Sequence, residues 1–152
     1  MKAILLIMIG LSSLGIAEES PRFTKADGVV TDTKTTLEWQ DDYSDNGDSV
    51  KYAKWVDAIN YCQELTLGGN DDWRLPNQKE LLSIVDYSTS NPAISSVFQN
   101  ITSTAYWSST SFAGSFAWTV IFFGGSTSND NNFKFLEYGV RCVRGGPFNF
   151  TA

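Results

Sequence analysis

Trp73-Arg74-Leu75-Pro76-Asn77-Gln78-Lys79-Glu80 (WRLPNQKE) is the stretch that decides the fold class. Pro76 interrupts what precedes it, Asn77 can cap a helix, and Glu80 stands three residues on, where its side chain can reach back to the cap N–H. A helix is therefore predicted from Asn77, with Leu81, Leu82 and Val85 as its apolar face, and Asn91-Pro92 then breaks the chain. On the N-terminal side, Tyr52 to Leu65 carries Trp55, Ile59, Cys62 and Leu65 at helical spacing, which turns Cys62 inward. Gly68-Gly69 ends that region.

Further out the pattern changes. Val29 to Asp32 and Leu37 to Gln40 read as short strands around Thr33–Thr36, and Asp41 to Ser49 reads as a polar loop. After Pro92, Ser, Thr, Gly and aromatic residues replace the helix formers. Strands are predicted at Ala105–Ser108, Ala117–Phe122, Ser126–Asn129 and Tyr138–Val143, with Gly124-Gly125 as a tight turn. A hairpin, two helices and then an antiparallel β-sheet make an α+β class, and no repeat of 20–50 residues argues for a solenoid or propeller.

The first 17 residues read as a targeting segment. Lys2 is followed by a mostly apolar run from Ala3 to Leu14, and Gly15-Ile16-Ala17 has the small-x-small form of a cleavage site. The run is too short to span a hydrocarbon core, so residues 18–152 are expected to form one secreted or periplasmic domain, with no membrane insertion after cleavage. The net charge is −6 and becomes −7 once Lys2 is removed. An acidic body argues against a nucleic-acid partner, and binding to a sulfated polysaccharide would need a local basic patch.

Two cysteines in an exported chain predict one disulfide, Cys62 to Cys142, closing a loop of about 80 residues. A redox pair would more typically be a C-x-x-C, which is absent. There is no histidine, which removes the commonest general base and zinc ligand and every Ser-His or Cys-His pair. No Gly-rich motif has the context of a phosphate cradle, and nothing singles out a catalytic carboxylate pair among 17 acids, so the chain is not expected to be an enzyme.

Four short signatures fall in one order: Leu37–Gln40 (LEWQ), Asp72–Asn77 (DWRLPN), Tyr106–Ser109 (YWSS) and Gly139–Gly145 (GVRCVRG). Together with the two cysteines, they resemble the Lcl C-terminal domain family over roughly Arg22 to Gly146. That family is named for a bacterial collagen-like adhesin associated with host glycosaminoglycans. The resemblance implies a C-type-lectin-like fold, shared with formylglycine-generating enzymes and phage receptor-binding variable domains. In that fold the chain ends meet in one sheet and loops of the second half make the ligand surface. A disulfide from the first helix to the last strand suits it. The copper-binding cysteines of formylglycine-generating enzymes do not carry over, since both cysteines here are assigned to the disulfide. Collagen-like repeats are also absent. The sequons at Asn100 and Asn149 are discounted, because the resemblance is to bacterial proteins.

The function expected is therefore surface recognition or adhesion, with a glycan as the first ligand class and a surface protein as the alternative partner. The candidate recognition surface comprises Ser126–Lys134 (STSNDNNFK) and Thr110–Ser115 (TSFAGS). Asn129, Asp130, Asn131, Asn132 and Phe133, with Ser111 and Phe112, pair amides and hydroxyls with rings, which can hydrogen-bond sugar hydroxyls and stack a sugar face. Trp39, Trp73, Trp107 and Trp118 are expected in the core, with Arg74 paired to a carboxylate such as Asp72. The acidic loop offers Asp42, Asp45 and Asp48 as calcium ligands. An EF-hand alignment leaves Ala53 where the closing Glu should stand, so a solvated turn is expected and no cofactor is required.

Overall fold

The computed structural model describes residues 20–128 and 132–146. The targeting segment and the candidates Asn129, Asp130 and Asn131 lie outside the described residues, as does the sequon at Asn149. Strands β1 (Phe23–Ala26), β2 (Val29–Asp32) and β3 (Leu37–Gln40) precede a short 3-10 turn at Ser44–Asn46 and β4 (Tyr52–Ala53). Helices α1 (Trp55–Glu64) and α2 (Gln78–Ser83) follow. The second half supplies β5 (Ala105–Phe112), β6 (Phe116–Ile121), β7 (Ser126–Ser128), β8 (Tyr138–Gly139) and β9 (Val143–Gly145). The class is α+β.

The strands form two sheets, β1-β2-β3-β9 and β4-β8-β5-β6-β7. In the first, β3 pairs antiparallel with β9 through Leu37↔Gly145 and Trp39↔Val143, so the beginning and end of the chain share a sheet. In the second, the β5–β6 hairpin is antiparallel, and β8 joins β5 in parallel at Tyr106↔Gly139. A Cβ at Gly139 would stand 3.0 Å from the Tyr106 ring, which is why this crossing carries glycine.

The signatures meet in this frame. Trp39 and Trp107 are fully buried, and Trp73 nearly so. Each such ring removes roughly 150–250 Å² from water, about 4–6 kcal/mol before ordering costs. Trp107 Nε1 donates to the Ala53 carbonyl at 2.9 Å and Trp73 Nε1 to that of Asn70 at 3.1 Å, so neither indole is left unpaired. The Asn77 side chain accepts from the Glu80 N–H, and Glu80 accepts from the Asn77 N–H, completing the capping box. Cys62 on α1 and Cys142, just before β9, form the disulfide, with both cysteines fully buried.

Several expectations need correction. Helix α1 begins at Trp55 rather than near Tyr52, because Tyr52 and Ala53 are drawn into pairing with Gly139 and Tyr138. The predicted Tyr138–Val143 strand is split in two. Between the halves, the Val140 N–H donates to Lys51 and Arg141 turns fully inward. Strand β1, an edge strand that alternates half-buried and exposed residues, was not anticipated. Arg74 pairs with Glu80, not Asp72, through two bonds of 2.8 and 2.7 Å, while Asp72 pairs with Arg144. Among the described residues no helix is long and apolar enough to cross a membrane.

Candidate functional site

The β5–β6 hairpin turns through Ala113 and Gly114, both at positive φ, and places Phe112 directly across from Phe116. Side chains two residues apart on a strand share a face, so Trp118 joins Phe116 there. Phe112 meets Trp118 edge-on with ring centroids 6.0 Å apart. The returning segment pairs Phe133 with Phe116 in an isolated bridge, their rings 4.4 Å apart. Phe135 then stacks on Phe133 at 5.1 Å, with an interplanar angle of 23°. Five rings thus form a shelf at one end of the second sheet. Its outer members are open, with Phe112 46% and Phe135 64% exposed.

Lys134, between the two stacked phenylalanines in sequence, ties the shelf to helix α1. Its ammonium donates to Ser111 Oγ and to the Gly114 carbonyl at 2.7 Å each. It also sits 4.1 Å from the Trp55 ring centroid. Trp55 is fixed in turn, since its Nε1 donates to the Ser108 carbonyl and its main-chain N–H to the Lys134 carbonyl. Next to this contact lies an open cleft of ≈ 390 Å³ lined by Lys54, Val56, Asp57, Ser115, Lys134 and Phe135. That volume falls within the roughly 300–1,000 Å³ of small-molecule sites.

The structure brings Ser111, Phe112 and Phe133 together at this shelf. Asn132 is corrected: it is buried, and its amide donates to Thr119 Oγ1 and the Ser128 carbonyl at 3.0 and 2.7 Å, so it holds the fold and does not face a ligand. Trp118, expected in the core, is half-buried and forms part of the shelf. Phe116, Phe135, Trp55, Lys54, Val56 and Asp57 were not anticipated as site residues. The alternation Phe133-Lys134-Phe135 was the available signal for the first returning rings, whereas the α1 contribution exists only once the helix is packed.

Carboxylates of the acidic loop have partners within the chain. Asp42 accepts from the Ser44 N–H at 2.8 Å, and that bond, with the Ser44 side chain, holds its carboxyl below the usual carboxylate range. Asp45 accepts from the Tyr61 hydroxyl at 3.2 Å. Among the described residues no group of three acidic or thiol side chains is placed to hold a metal ion, and Asp42, Asp45 and Asp48 are not brought together as such a group. Asp41 faces inward, where Lys25, Arg141 and the N–H groups of Gln99 and Asn100 all donate to its carboxylate.

A family model described as the Lcl C-terminal domain matches residues 28–144, which include both the shelf and the cleft. No curated protein matches the sequence.

Proposed function

The chain belongs to the Lcl C-terminal domain family, and from that premise we propose that it is an exported, C-type-lectin-like module that binds carbohydrate through the Phe112–Trp118–Phe133–Phe135 shelf. The observation that carries this reading is the shelf itself. Rings that could have packed inward stand partly open, contiguous with a cleft lined by hydroxyl and ammonium donors. The apolar face of a pyranose stacks on such rings, and hydroxyls pair with donors at the edge. Pairing of β3 with β9 and loops supplied by the second half agree with a C-type-lectin-like chain path.

Surface recognition or adhesion outside the cytoplasm is the role proposed, as a binder and not an enzyme. The two cysteines are joined in the disulfide, which leaves no thiol for chemistry of the formylglycine-generating kind. A protein partner is the second reading, favoured by exposed Val56 and Leu136 beside Phe135. Glycan-array binding of the chain from Glu18 onward, at low and physiological salt, tests the two. Selective binding that persists at physiological salt and in the presence of a calcium chelator supports the sugar reading. Failure to bind any glycan contradicts it and favours a protein partner.

A further inference from the structure

We propose that the cleft between Lys54 and Lys134 takes the carboxylate of an acidic sugar whose ring lies against Phe135. The proposal rests on the carbohydrate reading and narrows it. The cleft is lined by two lysines, Lys54 and Lys134, and one acid, Asp57, so the formal charge of its lining is positive on a protein whose formal charge is −6. The oxygen partners of Lys134 are neutral, a hydroxyl and a carbonyl, and its third neighbour is the Trp55 ring. Its charge is therefore not cancelled by a carboxylate within salt-bridge distance among the described residues. Lys54, exposed at the start of α1, likewise has no such partner there. Ser115 adds a hydroxyl, and Phe135 supplies an apolar wall more than half open to solvent.

A single carboxylate suits this site better than a sulfated polyanion. The two lysines act on a group bound in the cleft at short range, whereas the acidic body repels further negative charges that lie within a Debye length of about 8 Å. A carboxylate on a sugar ring satisfies both halves of the cleft at once, the cations through charge and Phe135 through the ring face.

Four probes test this by amide chemical-shift titration of the chain from Glu18 onward: methyl glucuronide, methyl glucoside, methyl glucoside 6-sulfate and N-acetylglycine. Glucuronide is expected to bind roughly three- to tenfold tighter than glucoside at low salt, with shifts at Val56, Asp57 and Lys134. Lys54→Gln, an exposed substitution, should reduce that preference for glucuronide over glucoside. Equal affinity for glucuronide and glucoside would overturn the carboxylate subsite while leaving sugar stacking intact. Stronger binding of the sulfate, or N-acetylglycine binding as tightly as glucuronide, would overturn the acidic-sugar assignment. If neither sugar binds, the inference and the carbohydrate reading both fall.

Discussion

The Lys134 ammonium sits 4.1 Å from the centroid of the Trp55 ring, and the Trp55 N–H donates to the Lys134 carbonyl at 3.0 Å. This double contact joins the returning segment that carries Phe133 and Phe135 to the start of α1. It also places Lys134 where it holds the hairpin turn through the Gly114 carbonyl.

Lys134→Met keeps the side-chain stem but removes the charge and its donors. A stability loss of about 1–3 kcal/mol is expected, from one cation–π contact and two hydrogen bonds. Urea unfolding measures it. An unchanged midpoint would mean that the clamp contributes nothing to the folded state.

Asp41 and Arg141 are both fully withdrawn from solvent, and Arg141 also donates to the carbonyls of Gln40 and Asn100. Removing one member strands the other charge, so Asp41→Asn should cost about 3–5 kcal/mol. Combining it with Arg141→Met should cost less than the two single losses added together. Strict additivity in a double-mutant cycle would argue that the pair is not coupled.

Asp32 titrates below the ordinary carboxylate range. Burial pushes its pKa up, but hydrogen bonds from Arg22, Thr35 and the Lys34 N–H, with the Arg22 charge, outweigh that effect. Asp72 is lowered in the same direction by its bond to Arg144. As pH falls through the unfolded value of 3.8, the unfolded chain takes up these protons before the folded one. Stability from these groups is thus complete above about pH 5 and is lost progressively on acidification below about 4. Asp32→Asn should flatten that acid limb in urea unfolding followed from neutral pH downward. An identical limb would exclude Asp32 as a contributor.

Replacing both Cys62 and Cys142 by serine removes a crosslink with a sequence separation of 80. On the chain-entropy account the loss is at most about 4.5 kcal/mol. Chemical denaturation of the double variant under oxidising conditions checks this, and a loss below about 1 kcal/mol would contradict the assigned role of the crosslink.

Much of the frame was legible because its signals are local. Asn77 and Glu80 define a helix start within four residues, and the spacing of Trp55, Ile59 and Cys62 orients a helix without reference to the rest of the chain. The disulfide followed from there being only two cysteines. What escaped depends on distant partners. Tyr52 leaves the helix because Gly139 offers a strand pair, and Arg141 interrupts a strand because Asp41 waits in the interior. The shelf was half visible: Ser111 and Phe112, at the end of β5, and Phe133 lie in stretches whose composition suggested recognition. Lys54 and Val56 could not be assigned, since α1 brings them beside Phe135 only in the folded chain. Amide composition also misled at Asn132, where the same donors that could bind a sugar are used to hold Thr119 and Ser128.

The signatures and the site are separate parts of the molecule. Trp39, Trp73, Trp107, Arg141 and Cys142 build the interior, whereas Phe112, Trp118, Phe133 and Phe135 lie outside the four signatures. Family membership therefore speaks to the scaffold, and on the function proposed above ligand choice rests with the shelf.

The most direct test of that claim is glycan-array binding of the chain from Glu18 onward, side by side with Phe135→Ala. Phe135 is largely exposed, so the substitution should leave the free energy of unfolding within about 0.5 kcal/mol of wild type. The account predicts selective glycan binding by the wild type that the variant loses at least tenfold. Equal binding by the two, or no binding by the wild type to any glycan, would contradict it.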